Sequence, residues 1–327
     1  MKKKLKICHV ITRMIIGGAQ ENTLFSCRGQ IEDGHDVVLL TGPTYGPEGT
    51  LLDKQQVPGL KIEVMEEMHR SIRPLQDLKA VKKMKEYFLQ EKFDVVHTHA
   101  SKAGILGRKA AWEANVPCVV HTIHGSPFHP YEKAWKNAIY VASEKYAAKK
   151  CHKVLAVADA MRQLYADKGV IPFADTETVY SGMDLSDYLS DRNSTETRRE
   201  LNIPEEAFVI VKVARLFEHK GHDYLMKAAE KVCADNAQAI FLLVGDGLLR
   251  SEIEDELKEK GLEKNFRFTG LVPPTEVPKY IHAADALIHL SLREGLPRAV
   301  VQGMAAAKPV VGYDLDGSPE VILNGIE

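Results

Sequence analysis

Residues 293–304 read R-E-G-L-P-R-A-V-V-Q-G-M and lie between a strand-like apolar stretch at 286–292 and a helix-like one. An acid, small or rigid residues and a helix start at the end of a strand are the parts of a site for an anion and a sugar. Backbone N–H groups left unbonded at a helix N-terminus attract phosphate oxygens, and the Glu294 carboxylate can grip hydroxyls. A plain N-terminal helix charge is the alternative for Glu294; its neighbours Gly295, Leu296 and Pro297 favour the site. Pro297 is expected in the first helical turn, where its missing N–H costs little.

Arg215 and Lys220 stand five apart where another strand runs into a helix. A guanidinium fork and an ammonium point charge beside a helix start suit a diphosphate. Solvated surface cations are the bland alternative, weaker for an Arg that directly follows the apolar run 209–214. Gly245, Asp246 and Gly247 make a tight turn that shapes the same region. Residues 314–320, D-L-D-G-S-P-E, form another acidic strand-end loop. Near the N-terminus, Gly17 and Gly18 precede a helix and let backbone approach a ligand closely. They do not complete G-x-G-x-x-G, which counts against a dinucleotide-binding first domain.

Two histidine pairs end successive strands: His97 with His99, and His121 with His124. Side chains alternate along a strand, so His97 and His99 share a face. His124, before Gly125 and Ser126, is expected to face a ligand, whereas His97 and His121 suit core roles. No carboxylate or Cys completes a metal set nearby, so no metal is expected. His99, Ser101 and Lys102, opening the next helix, are candidates for contact with a polar acceptor.

The elements that must position these residues alternate throughout. Apolar, β-branched runs at 6–12, 36–42, 61–65, 94–98, 118–122, 154–157 and 178–181 are separated by helical patterns at 19–30, 75–90, 102–114, 131–150 and 160–168. Buried strands alternating with amphipathic helices imply an α/β fold with a parallel sheet covered on both faces. A polar stretch at 184–205 suits a linker with a small helix, after which strands recur at 208–216, 239–245, 266–270, 286–292 and 309–313. The expectation is two Rossmann-like domains, 1–183 and 184–327, with the carboxyl ends of their strands facing each other across a cleft.

Composition narrows the function. The 327 residues carry 43 Lys and Arg against 45 Asp and Glu, without the basic excess that a nucleic-acid partner needs. Five scattered cysteines without C-x-x-C spacing fit a reducing cytosol. The lysines at 2–4 lead into a run broken by Lys6 and His9, with no cleavage site after it, so this reads as a first core strand. No stretch approaches the roughly 18 apolar residues of a membrane span. The helical segments 75–92 and 131–150 carry basic residues, including Lys133, Lys136, Lys145, Lys149 and Lys150. Either could lie on an anionic membrane or present an ordinary solvated face.

Together, R-L-x-x-x-K-G at 215–221, V-G-D-G at 244–247, E-G-L-P at 294–297 and G-S-P-E at 317–320 resemble the retaining glycosyltransferases of family 4, which have the GT-B fold. G-G-A at 17–19, H-T-H at 97–99, H-T-I-H-G at 121–125 and S-G-M-D at 181–184 fit the same family. The resemblance spans the chain in order, and the motifs as a set are highly specific. It implies that the second domain binds a nucleotide-sugar and the first an acceptor. Arg215 and Lys220 would hold the diphosphate and stabilise it as it leaves. Backbone at Gly17 and Gly18 would approach that diphosphate. Glu294 would contact sugar hydroxyls, with Gly295, Leu296 and Pro297 beside it and Gly245 among the donor contacts. His124 would lie next to the reacting sugar.

The resemblance also implies no cofactor and no metal. A second Glu, eight positions after the first and usually on the ribose diol, is here Gln302, which can donate to one hydroxyl and accept from the other. The family continues past residue 327 with another strand and helices, so the second domain is expected to be incomplete here. The function so implied is sugar transfer to a glycan or lipid-linked acceptor in cell-envelope or polysaccharide synthesis. The enzyme would be cytoplasmic, with peripheral contact at the inner membrane face. A nucleotide-sugar 2-epimerase and a non-catalytic nucleotide-sugar binder are the competing readings.

Overall fold

The computed structural model describes residues 3–45, 49–190 and 194–323. The chain divides into two compact units, Met1–Gly182 and Met183–Glu327. The first contains β1 (Lys6–Ile11), α1 (Gly18–Glu32), β2 (Asp36–Thr41), β3 (Lys61–Val64), α2 (Pro74–Glu91), β4 (Val95–His99), α3 (Ser101–Glu113), β5 (Cys118–Ile123), α4 (Ala134–Ala148), β6 (Lys153–Ala156), α5 (Asp159–Asp167) and β7 (Thr176–Thr178). All seven strands are parallel, in the order β3-β2-β1-β4-β5-β6-β7. The strand order reverses between β1 and β4. At such a switch the flanking loops turn to opposite faces and leave a crevice at the carboxyl ends.

Side-chain alternation builds the core on both faces of this sheet. Cys8 and Val10 of β1 join Val96 and Val119 beneath Ala80, Val81, Met84 and Phe88 of α2. Ile11 and Leu39 face the other way, against Leu24 of α1, Met14 and Leu51. Helices α3 and α4 are joined by a buried ion pair, Arg108 to Glu144 at 2.6 Å. The strand expected at 178–181 is instead β7 at Thr176–Thr178: Val179 makes one more backbone bond to Ala156, and Tyr180 is then exposed. The apolar pair that mimics a strand there belongs to the surface.

The linker region holds α6 (Ser186–Leu189) and α7 (Ser194–Glu200), one short helix more than its composition implies. Arg198 of α7 clips it down, with both its bonds to Asp285 at about 3 Å (2.9 and 3.0 Å). The second unit continues with β8 (Val209–Val213), α8 (His222–Asp235), β9 (Ile240–Val244), α9 (Arg250–Lys260), β10 (Phe266–Gly270), α10 (Val277–His282), β11 (Ala286–His289), α11 (Arg298–Ala305) and β12 (Val310–Gly312). Its parallel order is β10-β9-β8-β11-β12, with the switch between β8 and β11. Both switch strands stop earlier than their apolar runs imply, at Val213 and His289 rather than at 216 and 292. The extra residues become the loops that carry Arg215, Lys220 and Glu294.

Candidate functional site

In the second unit, Lys220 follows β8 and Glu294 follows β11, on the two sides of the switch. Their side chains meet, with Lys220 Nζ 2.6 Å from Glu294 Oε1. Two glycines make this approach possible. Gly221 has φ +69°, and a Cβ there would stand 2.0 Å from the Leu290 carbonyl oxygen. Leu292 N–H donates to the His219 carbonyl at 2.8 Å, so the two loops are stitched together beside the pair. Gly245, at φ +136°, is pressed against Ala214, whose carbonyl oxygen a Cβ would meet at 2.2 Å. The Gly245 turn thus packs against the backbone of the Arg215 loop. The Arg215 guanidinium lies 4.8 Å from the Phe217 ring centroid, and the Arg215 carbonyl accepts from His222 Nε2 at 3.1 Å.

Glu294 is set by more than Lys220. Its backbone N–H donates to Asp316 Oδ2 at 2.8 Å, which ties the E-G-L-P turn to the acidic loop after β12. His289 Nε2 lies 3.6 Å from Glu294 Oε1. Burial pushes the Glu294 carboxyl up, but the Lys220 ammonium and the His289 ring pull it down by more, leaving it below its ordinary range. Lys212, buried in β8, is pushed down to about 7, first by burial and then by the Lys220 charge. Burial likewise takes His222 and His289 down to about 4. A carboxylate kept ionised beside a fixed ammonium can bind hydroxyls and phosphate oxygens side by side. Gln302 lies partly exposed on α11. Pro297 is the residue before that helix, with φ −77° and ψ 89°, rather than part of its first turn; its carbonyl accepts from Val300 N–H at 3.0 Å.

In the first unit, the loop after β1 leads through Gly17, which precedes α1, to Gly18, its first residue. Leu51 N–H bonds to the Met14 carbonyl at 2.7 Å and buries both side chains, which fixes the loop. The Thr12 hydroxyl accepts from Ala103 N–H at 3.1 Å, joining this loop to the start of α3. Ser101 and the glycine loop therefore flank the β1–β4 switch together. Between His99 and Ser101, Ala100 has φ +58°, a strained conformation for a residue with a Cβ.

Two acceptor expectations change. Lys102 is held at 2.6 Å by Asp77 Oδ1 and also donates to the Ser71 carbonyl, so it braces α3 against α2. His99 is 1% exposed. Its ring nitrogens bond to His9 Nδ1 at 2.9 Å and His124 Nε2 at 3.0 Å, so it stands behind His124 rather than in reach of an acceptor. His121 faces the opposite side of the sheet and bonds to the Thr98 hydroxyl at 3.0 Å, a core role. Ring nitrogens of His9, His97 and His99 lie within 4.8 Å of one another, a spacing that would admit a metal ion. Hydrogen bonds already engage both nitrogens of His9 and His99, and His97 Nε2 bonds to Thr122 Oγ1 at 2.7 Å. In this structure the trio is hydrogen-bonded.

Strand-end motifs do not point to His9, Lys212 or His289. His9 and Lys212 are titratable residues inside largely apolar strands, and His289 closes an apolar one. That interruption is the signal that would find them, since an isolated ionisable group is rarely buried without a partner.

Residues 17–182 match the family described as glycosyl transferase 4-like domain, and residues 193–327 match glycosyl transferases group 1. The chain is 26% identical over 325 residues to the UDP-Gal:alpha-D-GlcNAc-diphosphoundecaprenol alpha-1,3-galactosyltransferase of Escherichia coli, covering 98% of this chain and 82% of that one. It is 29% identical over 232 residues to the putative teichuronic acid biosynthesis glycosyltransferase TuaC of Bacillus subtilis, covering 68% of this chain and 54% of the relative. Among solved structures, Anabaena HepE in complex with UDP and glucose matches with a TM-score of 0.82 at 22% identity, over 98% of this chain and 84% of that one. At that identity the likeness establishes the fold.

Proposed function

The chain belongs to the glycosyltransferase family of the 4-like and group 1 domains and has the GT-B fold, and from that premise we propose that it moves a hexose or N-acetylhexosamine from a nucleotide-diphosphate donor to a lipid-linked glycan in cell-envelope polysaccharide synthesis. The reading includes retention of anomeric configuration and no metal requirement. The observation that carries it is the Lys220–Glu294 pair across the β8–β11 switch. A leaving diphosphate gains negative charge in the transition state, and cations fixed beforehand stabilise that charge without reorganising. Lys220 and Arg215 take this role. Glu294 receives the sugar hydroxyls, with the backbone of Gly295, Leu296 and Pro297 beside it, and Gln302 the ribose. Gly17 and Gly18 offer N–H donors to phosphate oxygens, and His124 and Ser101 stand on the acceptor-binding unit.

The relative that acts on GlcNAc-diphosphoundecaprenol supports a polyprenyl-diphosphate acceptor, and the UDP held by the Anabaena protein supports a UDP-sugar donor. No helix among the described residues is long and apolar enough to cross a membrane. Access to a lipid-linked acceptor is assigned to α4 and the turn before it, where Tyr131, Trp135 and Ile139 are all at least half exposed near Lys133 and Lys136. The test is nucleotide release from UDP-sugars with a polyprenyl-diphosphate-linked acceptor, for wild type, Arg215→Ala and Lys220→Ala. Each variant is expected to lose on the order of 10²-fold or more in kcat. Wild-type rates in both would remove the proposed role.

A further inference from the structure

A line of imidazoles crosses the first sheet at its switch point. Register puts His9 of β1 beside His97 of β4, and His99 beside Thr122 of β5. His9, His97, His99 and, two residues past Thr122, His124 therefore share one face of the sheet. From α1, Gln30 Oε1 lies 2.8 Å from His9 Nε2. His9 Nδ1 lies 2.9 Å from His99 Nε2, and His99 Nδ1 lies 3.0 Å from His124 Nε2. Both middle rings are buried, at 0% and 1% exposure. His97 stays outside this line, bonded to Thr122 and packed on His99 with ring centroids 4.3 Å apart.

Each neutral imidazole has one N–H donor and one bare acceptor nitrogen. With the two buried rings neutral, the three links then allow only two proton arrangements, one the reverse of the other. The Gln30 oxygen facing His9 selects between them. It accepts from His9 Nε2–H; His9 Nδ1 then accepts from His99 Nε2–H, and His99 Nδ1 accepts from His124 Nε2–H. We propose that Gln30, His9 and His99 are positioning residues that fix His124 in its Nε2–H tautomer, with Nδ1 as its acceptor nitrogen. A sugar hydroxyl donating to His124 Nδ1 would find both the ring angle and the lone pair set in advance. That last step rests on the reading that His124 faces the sugar; the tautomer line does not.

The two buried rings of the line carry no charge at neutral pH. Burial pushes His9 down to about 4 and His99 well below the ordinary imidazole range, so both rings are neutral. The buried rings transmit a proton arrangement and no net charge.

The test is a long-range ¹H–¹⁵N correlation spectrum of the full chain, with ¹⁵N-labelled histidine, at neutral pH and without substrate. The Nδ1 and Nε2 shifts report each tautomer independently of activity. Nε2–H is expected for His9, His99 and His124. In Gln30→Glu, whose carboxylate can only accept, the same set is expected. In Gln30→Leu, His124 is expected to become a mixture of tautomers, with kcat down about tenfold, the value of one hydrogen bond, and restored toward wild type in Gln30→Glu. An Nδ1–H form of His99 or His124 in wild type overturns the proposal. So do metal-shifted rings with one bound equivalent of zinc, or a His124 spectrum unmoved in Gln30→Leu. An unchanged transfer rate in His124→Ala, with the tautomers as expected, would instead remove His124 from the sugar and leave the relay standing.

Discussion

Lys212 shows how the charges around the candidate donor site constrain one another. Its ammonium is buried in β8 near Lys220, and among the described residues the acids acting on it are Glu294 and Asp223. Burial and the Lys220 charge bring it to about 7 from an ordinary 10.5. The unfolded chain therefore binds more protons than the folded one between about pH 7 and 10.5, and stability from this group rises with pH across that window. Lys212→Met, similar in volume and uncharged, is expected to raise Tm by a few degrees at pH 7, with the gain shrinking as pH approaches 10. Thermal unfolding at several pH values checks it; a gain that grows with pH would contradict the account. The residues of this site were unevenly legible. Arg215, Lys220, Glu294 and the glycines stand in strand-end motifs whose spacing has a chemical reason. Lys212 and His9 sit within strands and His289 closes one; their neighbours come from other elements or a following loop, and one-dimensional spacing does not say which elements meet.

At the scale of elements, the alternation of buried strands and amphipathic helices was readable because its two periods differ. Strand ends were not, since an apolar run continues past the last ladder bond. Leu290 belongs to the core although it follows β11, and Leu216 is buried three residues after β8. These residues anchor the site loops, and their apolarity hides the change from strand to loop. Helix α4 shows the converse. Its buried face is narrow, with Glu144 and Ala147 as its fully buried positions, while Trp135 is 61% exposed. Lysines are paired with acids on both α2 and α4, so the membrane assignment to α4 rests on the exposed Tyr131, Trp135 and Ile139 in and just before it. Wild type is expected to sediment with anionic-lipid vesicles and to release with salt. Trp135→Ser with Ile139→Ser is expected to abolish the binding. No salt-sensitive sedimentation of wild type would end this assignment.

For the whole molecule, each unit sets its candidate residues at the switch point of its own parallel sheet: His9, His99 and the glycine loop beside β1 and β4, and Lys220 and Glu294 beside β8 and β11. The two sheets were foreseeable from strand spacing, because parallel strands need helical crossovers and so repeat at long intervals. The strand orders were not, since nothing local in β1 names β4 as its neighbour. Family membership makes the chain a glycosyltransferase; the roles proposed for Lys220, Arg215 and Glu294 would make that transfer a departure of diphosphate under fixed positive charge. The most direct measurement follows nucleotide release and the anomeric proton of the product together by NMR, with a panel of nucleotide-sugar donors and a lipid-linked acceptor, in the presence of a metal chelator. The expected result is acceptor-dependent release with the donor's anomeric configuration kept. Release that ignores the acceptor, an inverted product, or donor binding with no turnover would contradict it.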